Sequence, residues 1–126
     1  MTLDEARQQF LTYQRDVRQL SRHTVEAYRH DLRGFSEFCQ QRQLQDVGAI
    51  RDVDVRHWIS SLHQSGKSGK TLQRALSSLR ALFRFLGEQD LSLGNPAADV
   101  RAPKSERRLP KSIDPDNIGV LFKTDN

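Results

Sequence analysis

The residues whose types and spacing most suggest chemistry lie in the segment HQSGKSGKTLQRALSSLRALFRFL, positions 63–86. It holds two Gly-Lys-hydroxyl triplets, residues 66–68 and 69–71, directly ahead of an apolar pattern with helical spacing. A phosphate-binding P-loop would need a glycine five positions before the glycine of the triplet. Those positions hold Ser61 and Gln64, and the segment before the triplets has the spacing of a helix rather than of a buried strand. The sequence therefore argues against a nucleotide-binding loop, and we predict no nucleotide ligand.

The same triplets suit the phosphate of a nucleic acid. A helix N-terminus carries partial positive charge and free N–H groups, and Ser68, Lys70 and Thr71 would add hydroxyls and an ammonium there. The helix predicted over residues 69–87 has its apolar side chains on one face. The opposite face carries Lys70, Arg74, Ser77, Ala81 and Arg84. Because an α-helix fits the major groove of B-DNA, we predict that this face contacts DNA.

The placement of charge favours DNA contact over the alternative, an ordinary solvated face. The net charge is only +4, but no acidic residue lies between Asp54 and Glu88, where there are six basic residues. A solvated face normally carries both signs, so this segregation indicates a polyanionic partner. A second basic block, RAPKSERRLPK, follows at positions 101–111.

Length and composition restrict the class of protein. The 126 residues are 36% hydrophobic and 29% charged, which is typical of one domain or of one domain plus a tail. No segment is apolar enough to span a membrane, and the N-terminus lacks the pattern of a signal peptide. The single Cys39 cannot form an internal disulfide, so we expect a reducing, cytoplasmic setting.

Metal, cofactor and catalytic sites are not indicated. The four histidines offer no i, i+4 pair and Cys39 has no cysteine partner, so we predict neither a metal site nor a cofactor. Tyr13 and Tyr28 lie on apolar stripes, and we interpret them, like Cys39 and Trp58, as core residues. No residue of this chain is predicted to be catalytic.

Helices must position these groups, and the apolar spacing predicts an all-α, compact bundle of four to five helices. The first helix covers residues 3–20, and its apolar stripe ends at Val17. The second covers residues 21–41, with Ser21 as its N-cap because a serine hydroxyl can accept an unpaired N–H of the first turn.

The later helices are predicted from the same signals. Asp52 or Asp54 should cap the third helix, and Ser68 should cap the fourth. Gly87 is predicted to end the fourth helix, and Asn95-Pro96 to begin a short further helix.

A basic segment with two prolines divides the predicted domains. We predict that residues 1–100 form a helical DNA-binding domain, that 101–112 form a basic interdomain linker, and that 113–126 begin a helix beyond a domain boundary. An extended linker has no rigid frame that aims side chains at base edges, so its charges should meet phosphates. These charges are Lys104, Arg107, Arg108 and Lys111.

Three segments resemble signatures of one family. LSRHTVEAYRHDLRGFSEFC resembles the L-S-x-x-T-x-x-x-Y-x-x-D-L-x-x-F-x-x-F signature of the tyrosine site-specific recombinases, the phage-integrase family. SGKTLQRALSSLRALFRFL resembles their S-x-x-T-x-x-R-x-L-S-x-L-R-x-F-x-x-(F/Y)-L helix, and NPAADVRAPKSERRLPKSID resembles their interdomain linker. Together the signatures cover most of residues 20–114 in the family's order, and their details are most similar to XerC-type members.

The resemblance implies a function and a set of partners. It implies a SAM-like core-binding domain that clamps one face of a double-stranded recombination site, with DNA contact at Arg22, His23 and Thr24 and weaker contact at Arg29 and Arg33. A full-length member would cut and rejoin DNA strands in chromosome dimer resolution, paired with a second, XerD-like protomer in a tetrameric complex. The nucleophilic tyrosine would lie in a C-terminal catalytic domain, of which residues 113–126 would be only the beginning.

Two other interpretations of the residues stay open. One is a helical protein–protein interaction module whose basic face meets an acidic partner. The other is a stand-alone DNA-binding regulator with no catalytic half.

Overall fold

Four α-helices build the part of the chain that the computed structural model describes, residues 1–103. They are α1 (Leu3–Thr12), α2 (Arg22–Gln41), α3 (Asp52–Gln64) and α4 (Gly69–Gln89). A π-helical turn, Tyr13–Val17, extends α1, and a 3-10 turn, Val47–Ala49, precedes α3. The described residues contain no β-strand, only an isolated bridge between Thr2 and Asp46. The prediction of an all-α bundle of four to five helices is confirmed.

Helix α4 lies at the centre of the bundle and packs against the other three α-helices. All the apolar residues predicted for its inner face are buried: Leu72, Ala75, Leu76, Leu79, Leu82, Phe83 and Leu86. Burying one large apolar side chain stabilises the fold by about 1.5–3 kcal/mol, so this stripe fixes the orientation of α4. The opposite, polar face of α4 is consequently directed outwards.

The first helix differs from its prediction. The N–H of Arg18 donates to the carbonyl of Tyr13 at 3.0 Å, an i→i+5 bond that widens the turn by one residue. The extra residue rotates the apolar stripe, so Gln14 is buried whereas Val17 is 67% exposed. The prediction of Val17 as a core residue is therefore wrong, because it assumed the period of an uninterrupted α-helix.

The start of α3 also differs from its prediction. Arg51, not an aspartate, occupies the N-cap position. The carboxylate of Asp54 acts from within the first turn and accepts the N–H of Arg51 at 2.8 Å. Asp54 therefore supports the start of the helix from within its first turn, and neither aspartate occupies the N-cap position.

Helix α4 continues past the glycine that was predicted to end it. Gly87 lies within α4, which ends at Gln89, and the N–H of Asp90 still donates to the carbonyl of Leu86 at 3.0 Å. A glycine in a helix costs only about 1 kcal/mol relative to alanine, and the buried stripe of α4 outweighs that cost. The predicted stop at Gly87 is wrong.

The Asn95-Pro96 segment forms a turn over residues 96–99 instead of the predicted helix. The side chain of Asn95 accepts the N–H of Ala97 at 3.1 Å, the short bond of an Asx turn. Arg80 of α4 holds this turn in place by donating to the carbonyls of Ala97 at 3.0 Å and Val100 at 2.6 Å. Arg80 is therefore a structural residue, and its guanidinium is directed at the protein rather than at a ligand.

Aromatic rings join α1, α2 and α4. The ring of Phe10 meets Tyr28 edge-on, with centroids 5.1 Å apart, and meets Phe85 at 5.6 Å. Tyr13 also packs against Phe85, with ring centroids 5.1 Å apart. Tyr28 thus packs against the core as predicted, whereas Tyr13 is half-buried against the ring of Phe85 without belonging to the core cluster.

Trp58 and Cys39 are both buried in the core, as predicted. Trp58 packs edge-on against Phe35, with centroids 5.1 Å apart. Cys39 is fully buried, and burial raises the pKa of its thiol to about 12. No helix among residues 1–103 is long and apolar enough to cross a membrane.

Candidate nucleic-acid interface

The starts of α2 and α4 share one local design. The hydroxyl of Ser21 accepts the N–H of Thr24 at 3.2 Å, and the hydroxyl of Ser68 accepts the N–H of Thr71 at the same distance. Both serines are the predicted N-caps. In each helix the serine and threonine hydroxyls also bond to one another, at 3.0 Å in α2 and 3.1 Å in α4.

Each of these two helix starts leaves donors available to an anion. The backbone N–H groups of the first two helical residues, 22–23 and 69–70, have no hydrogen-bond partner among residues 1–103. Neither first turn contains an acidic residue. The side chains that extend from these turns, Arg22, His23 and Lys70, are exposed. Free N–H groups, the helix dipole and a cation together form a phosphate-binding arrangement.

The turn between α3 and α4 explains the repeated Gly-Lys triplets. Gly66 has φ +92°, and its N–H donates to the carbonyl of His63 at 3.1 Å. The N–H of Lys67 donates to the carbonyl of Leu62, also at 3.1 Å, which completes a Schellman ending of α3. The first glycine therefore ends one helix, and Ser68 begins the next. Lys67 and Lys70 are left exposed on either side of this cap.

Contacts between helices place the start of α2 beside α4. Asp31 of α2 bonds to Arg74 and Ser78 of α4, whereas Tyr28 and Phe85 share contact with Phe10. Tyr28 lies nearer the start of α2 than Asp31 does, and Phe85 lies nearer the end of α4 than Arg74 and Ser78 do. The two helices therefore run antiparallel where they cross. The first turn of α2 consequently lies on the side of the C-terminal half of α4, where Arg84 is exposed.

Arg74 does not have the simple solvent-facing position that its place on the helical wheel predicts. Its Nε and Nη2 donate to the two carboxylate oxygens of Asp31, at 3.2 and 3.0 Å. Ser78 donates to the same carboxylate at 2.8 Å. The bond to Asp31 raises the pKa of Arg74 above its ordinary value. The Arg74 side chain remains 51% exposed, so part of the guanidinium still faces outwards.

An open cleft of about 250 Å³ adjoins this pair, between α2, α3 and the start of α4. His30 and Arg33 of α2, Lys67 of the turn and Thr71 of α4 line it. Sequence reasoning gave Arg33 only a weak role and did not select His30 or Lys67. The available signal was the position of Asp31, which lies among apolar stripe residues and therefore needed a cationic partner from another helix.

Three basic residues elsewhere in the bundle are neutralised by local acids. Arg7, Arg15 and Arg56 pair with aspartates of their own or an adjoining turn at 2.7–2.9 Å. In α2, Arg29 pairs with Glu26 at 3.2 Å, which weakens its candidacy as a DNA contact. In contrast, nine exposed basic residues form no ion pair with a carboxylate among residues 1–103: Arg18, Arg22, Arg33, Arg42, Arg51, Lys67, Lys70, Arg84 and Arg101.

The predicted linker contacts, Lys104, Arg107, Arg108 and Lys111, lie outside the described residues. So does the predicted start of a second domain at 113–126. Residues 1–103 contain no cluster of histidine, cysteine and acidic side chains that could hold a metal ion.

Comparison with known proteins identifies the class to which this bundle belongs. Residues 8–90 match the family described as "Phage integrase, N-terminal SAM-like domain". Because this match covers more than half of the chain, the protein belongs to the phage integrase family through this domain. The fold agrees with a solved N-terminal domain of a phage integrase/site-specific recombinase from Haloarcula marismortui, with a TM-score of 0.70. The two share 18% sequence identity, and the match covers 82% of this chain and 97% of the other.

Within that class, the sequence is similar to tyrosine recombinases named XerC. It is 45% identical over 116 residues to the XerC of Alcanivorax borkumensis, covering 90% of this chain and 36% of the relative. It is 38% identical over 113 residues to the XerC of Stutzerimonas stutzeri, covering 90% of this chain and 38% of the relative. The chain thus spans little more than a third of the length of these relatives. The resemblance to XerC-like tyrosine recombinases is confirmed.

Proposed function

We propose that this chain is the DNA-binding N-terminal domain of a XerC-like tyrosine recombinase. The observation that carries the proposal is the pair of acid-free helix starts at α2 and α4, each with free N–H groups and an exposed cation. Duplex DNA presents phosphates at regular spacing, and such helix starts bind phosphate without needing sequence information. Family membership gives these features a common purpose, because site-specific recombination requires DNA binding.

The contacts divide into three groups in this proposal. The first turn of α2, with Arg22, His23 and Thr24, and the first turn of α4, from Ser68 to Thr71, bind phosphates at two positions. The outward face of α4, with Arg74, Ser77 and Arg84, lies along the major groove. The basic residues of segment 101–112 follow the backbone between domains: Lys104, Arg107, Arg108 and Lys111.

The role of a complete recombinase extends this proposal. It would act in the cytoplasm on a double-stranded recombination site, with a second, XerD-like protomer in a tetrameric complex. The reaction would be DNA strand cleavage and rejoining in chromosome dimer resolution, with the catalytic groups in a separate domain. The 126-residue chain alone should bind DNA without cutting it.

A salt titration tests the DNA-binding proposal. Binding of the 126-residue chain to a fluorescent random-sequence duplex is followed by anisotropy at several salt concentrations. The logarithm of the binding constant should fall with the logarithm of salt concentration by about 0.9 for each phosphate contact. A poly-glutamate peptide serves as the competing acidic ligand. Tighter binding to that peptide than to duplex DNA would favour the protein–protein interaction module instead.

A further inference from the structure

The carboxylate of Asp31 is the most buried charge at the proposed interface. The residue is 5% exposed, in the middle of α2, and it receives three hydrogen bonds. Two come from the fork of Arg74 and one from Ser78, so both carboxylate oxygens are occupied. A buried carboxylate without such donors would be strongly destabilising, and this arrangement satisfies it.

The same bonds fix the orientation of Arg74. An arginine side chain has several rotatable bonds, and a free one on an exposed helix face samples many rotamers. Here Nε and Nη2 are both held, and the planar guanidinium cannot rotate without breaking the fork. A guanidinium has five N–H donors, and the side chain is half exposed, so donors that do not face Asp31 remain directed towards the interface.

Pairing changes what Arg74 can contribute to DNA binding. The negative charge of Asp31 offsets most of the long-range attraction between Arg74 and phosphate, because the charges of Asp31 and Arg74 lie within hydrogen-bond distance. Its remaining donors keep their direction. Fixed donors discriminate between base edges, whereas net charge attracts every sequence equally.

We infer that Asp31 is a positioning residue that sets the sequence discrimination of this domain by holding the guanidinium of Arg74 in one orientation. The inference rests on the proposed DNA-binding function and extends it to the source of specificity. It assigns Arg74 to base-edge contact, and Lys70 and Arg22 to phosphate contact.

A second carboxylate of the same bundle provides a matched control. Asp4 accepts Arg7 at 2.7 Å and Ser36 at 2.9 Å, the same pair of donor types that Asp31 uses. It lies at the start of α1, away from the α2 and α4 helix starts in sequence and in pairing. Asp4→Asn changes the net charge by the same amount as Asp31→Asn and also loosens an arginine.

The experiment measures discrimination directly. A preferred duplex is selected by the wild-type chain from a random-sequence pool, and affinities for it and for a scrambled version are measured side by side. Asp31→Asn should lower the ratio of the two affinities roughly tenfold, the value of one well-placed bidentate contact. Affinity for the scrambled duplex should stay equal or rise, because a negative charge has been removed. Asp4→Asn should leave the ratio unchanged.

Arg74→Lys completes a double-mutant cycle. Lysine keeps the charge but cannot form the fork, so this variant should lose discrimination to a similar extent. In the Arg74→Lys background, Asp31→Asn should have no further effect on the ratio of the two affinities, because both substitutions remove the same Asp31–Arg74 interaction. If Asp31→Asn fails to fold, the ratio of the Arg74→Lys variant carries the test.

The outcomes distinguish a failure of this inference from a failure of the proposed DNA-binding function. A wild-type chain that does not bind duplex DNA overturns both. A wild-type chain that binds DNA but selects no preferred sequence overturns the inference alone. The inference is also overturned if Asp31→Asn or Arg74→Lys folds and keeps the wild-type ratio, or if both affinities of Asp31→Asn fall equally together with its melting temperature.

Discussion

The four helices of this bundle start in two different ways. The first turns of α1 and α3 contain acids, Asp4 with Glu5 and Asp52 with Asp54. One acid of each pair accepts a backbone N–H at the helix start, Glu5 from Thr2 at 2.9 Å and Asp54 from Arg51 at 2.8 Å. The first turns of α2 and α4 contain no acid, and they carry exposed cations instead.

Because of this difference, α2 and α4 are less stable in the isolated domain than they would be with an acid in the first turn. An acid in the first turn stabilises a helix by about 0.3–1 kcal/mol, and a cation there acts in the opposite direction. Both α2 and α4 give up that stabilisation although their serine caps are intact. A bound phosphate would supply the missing negative charge. The starts of α1 and α3 are thus electrostatically complete by themselves, whereas those of α2 and α4 would be completed by a polyanion.

Reversing the cations at the two acid-free starts should have the largest effect. Arg22→Glu with Lys70→Glu places acids where phosphates are proposed to bind, so duplex affinity should fall roughly a hundredfold at low salt. The helices should remain folded, since both side chains are exposed. Anisotropy titration measures the affinity, and circular dichroism checks the helix content.

A matched double reversal gives the control for this experiment. Arg15→Glu with Arg56→Glu makes the same change of charge at exposed residues that already pair with aspartates. Its affinity for DNA should fall much less, because only the general electrostatic attraction changes. Equal losses in the two variants would contradict a special role for the helix starts.

The next largest effect is on stability. Arg74→Ala leaves Asp31 buried with only Ser78 as a donor, so the free energy of unfolding should fall by about 2 kcal/mol. For a domain of this size, that corresponds to a drop in melting temperature of roughly 10 °C. Thermal unfolding measures it. Adding Asp31→Asn should recover part of the loss, and no recovery would mean that Arg74 stabilises the fold by packing rather than by charge.

This prediction reverses the expectation from the helical wheel, and the reason is general. The wheel correctly placed the buried leucines of α4 and the exposed Lys70, because both follow from the period of one helix. The partner of Arg74 lies 43 positions earlier in the chain. The place of Asp31 among the apolar residues of α2 indicates that it needs a cationic partner, but no local pattern identifies Arg74 as that partner.

Local signals had similar limits elsewhere in the fold. The serine caps of α2 and α4 were predictable, because capping depends on neighbouring residues alone. The exposure of Val17 was not, because a π-helical turn inserts one residue without a distinct composition. The turn at Asn95 was taken for a helix because its outcome depends on Arg80, which holds it from another element.

Charge in the linker should have a smaller effect on binding. Replacing Arg107 and Arg108 with glutamine should weaken binding to a selected and to a scrambled duplex by similar factors, each roughly tenfold, because contacts with phosphates carry no sequence information. The salt slope should become shallower by up to about two phosphate contacts' worth. Parallel titration of both duplexes measures these quantities. Loss of only the selected duplex, with the slope unchanged, would show that the linker reads sequence.

The smallest effect tests the comparison of helix starts without any DNA. Lys70→Glu should stabilise the free domain by about 0.5 kcal/mol at low salt, because it supplies the first-turn acid that α4 lacks. The gain should shrink in 1 M salt, where the screening length is about 3 Å. Arg84→Glu makes the same change of charge on the same face but near the other end of α4, where a cation is the favoured sign, so it should not stabilise. Denaturant unfolding at two salt concentrations distinguishes the variants. If Lys70→Glu proves neutral or destabilising at low salt, the lack of an acid in the first turn of α4 does not lower the stability of the free domain. The cation at position 70 must then be explained in another way.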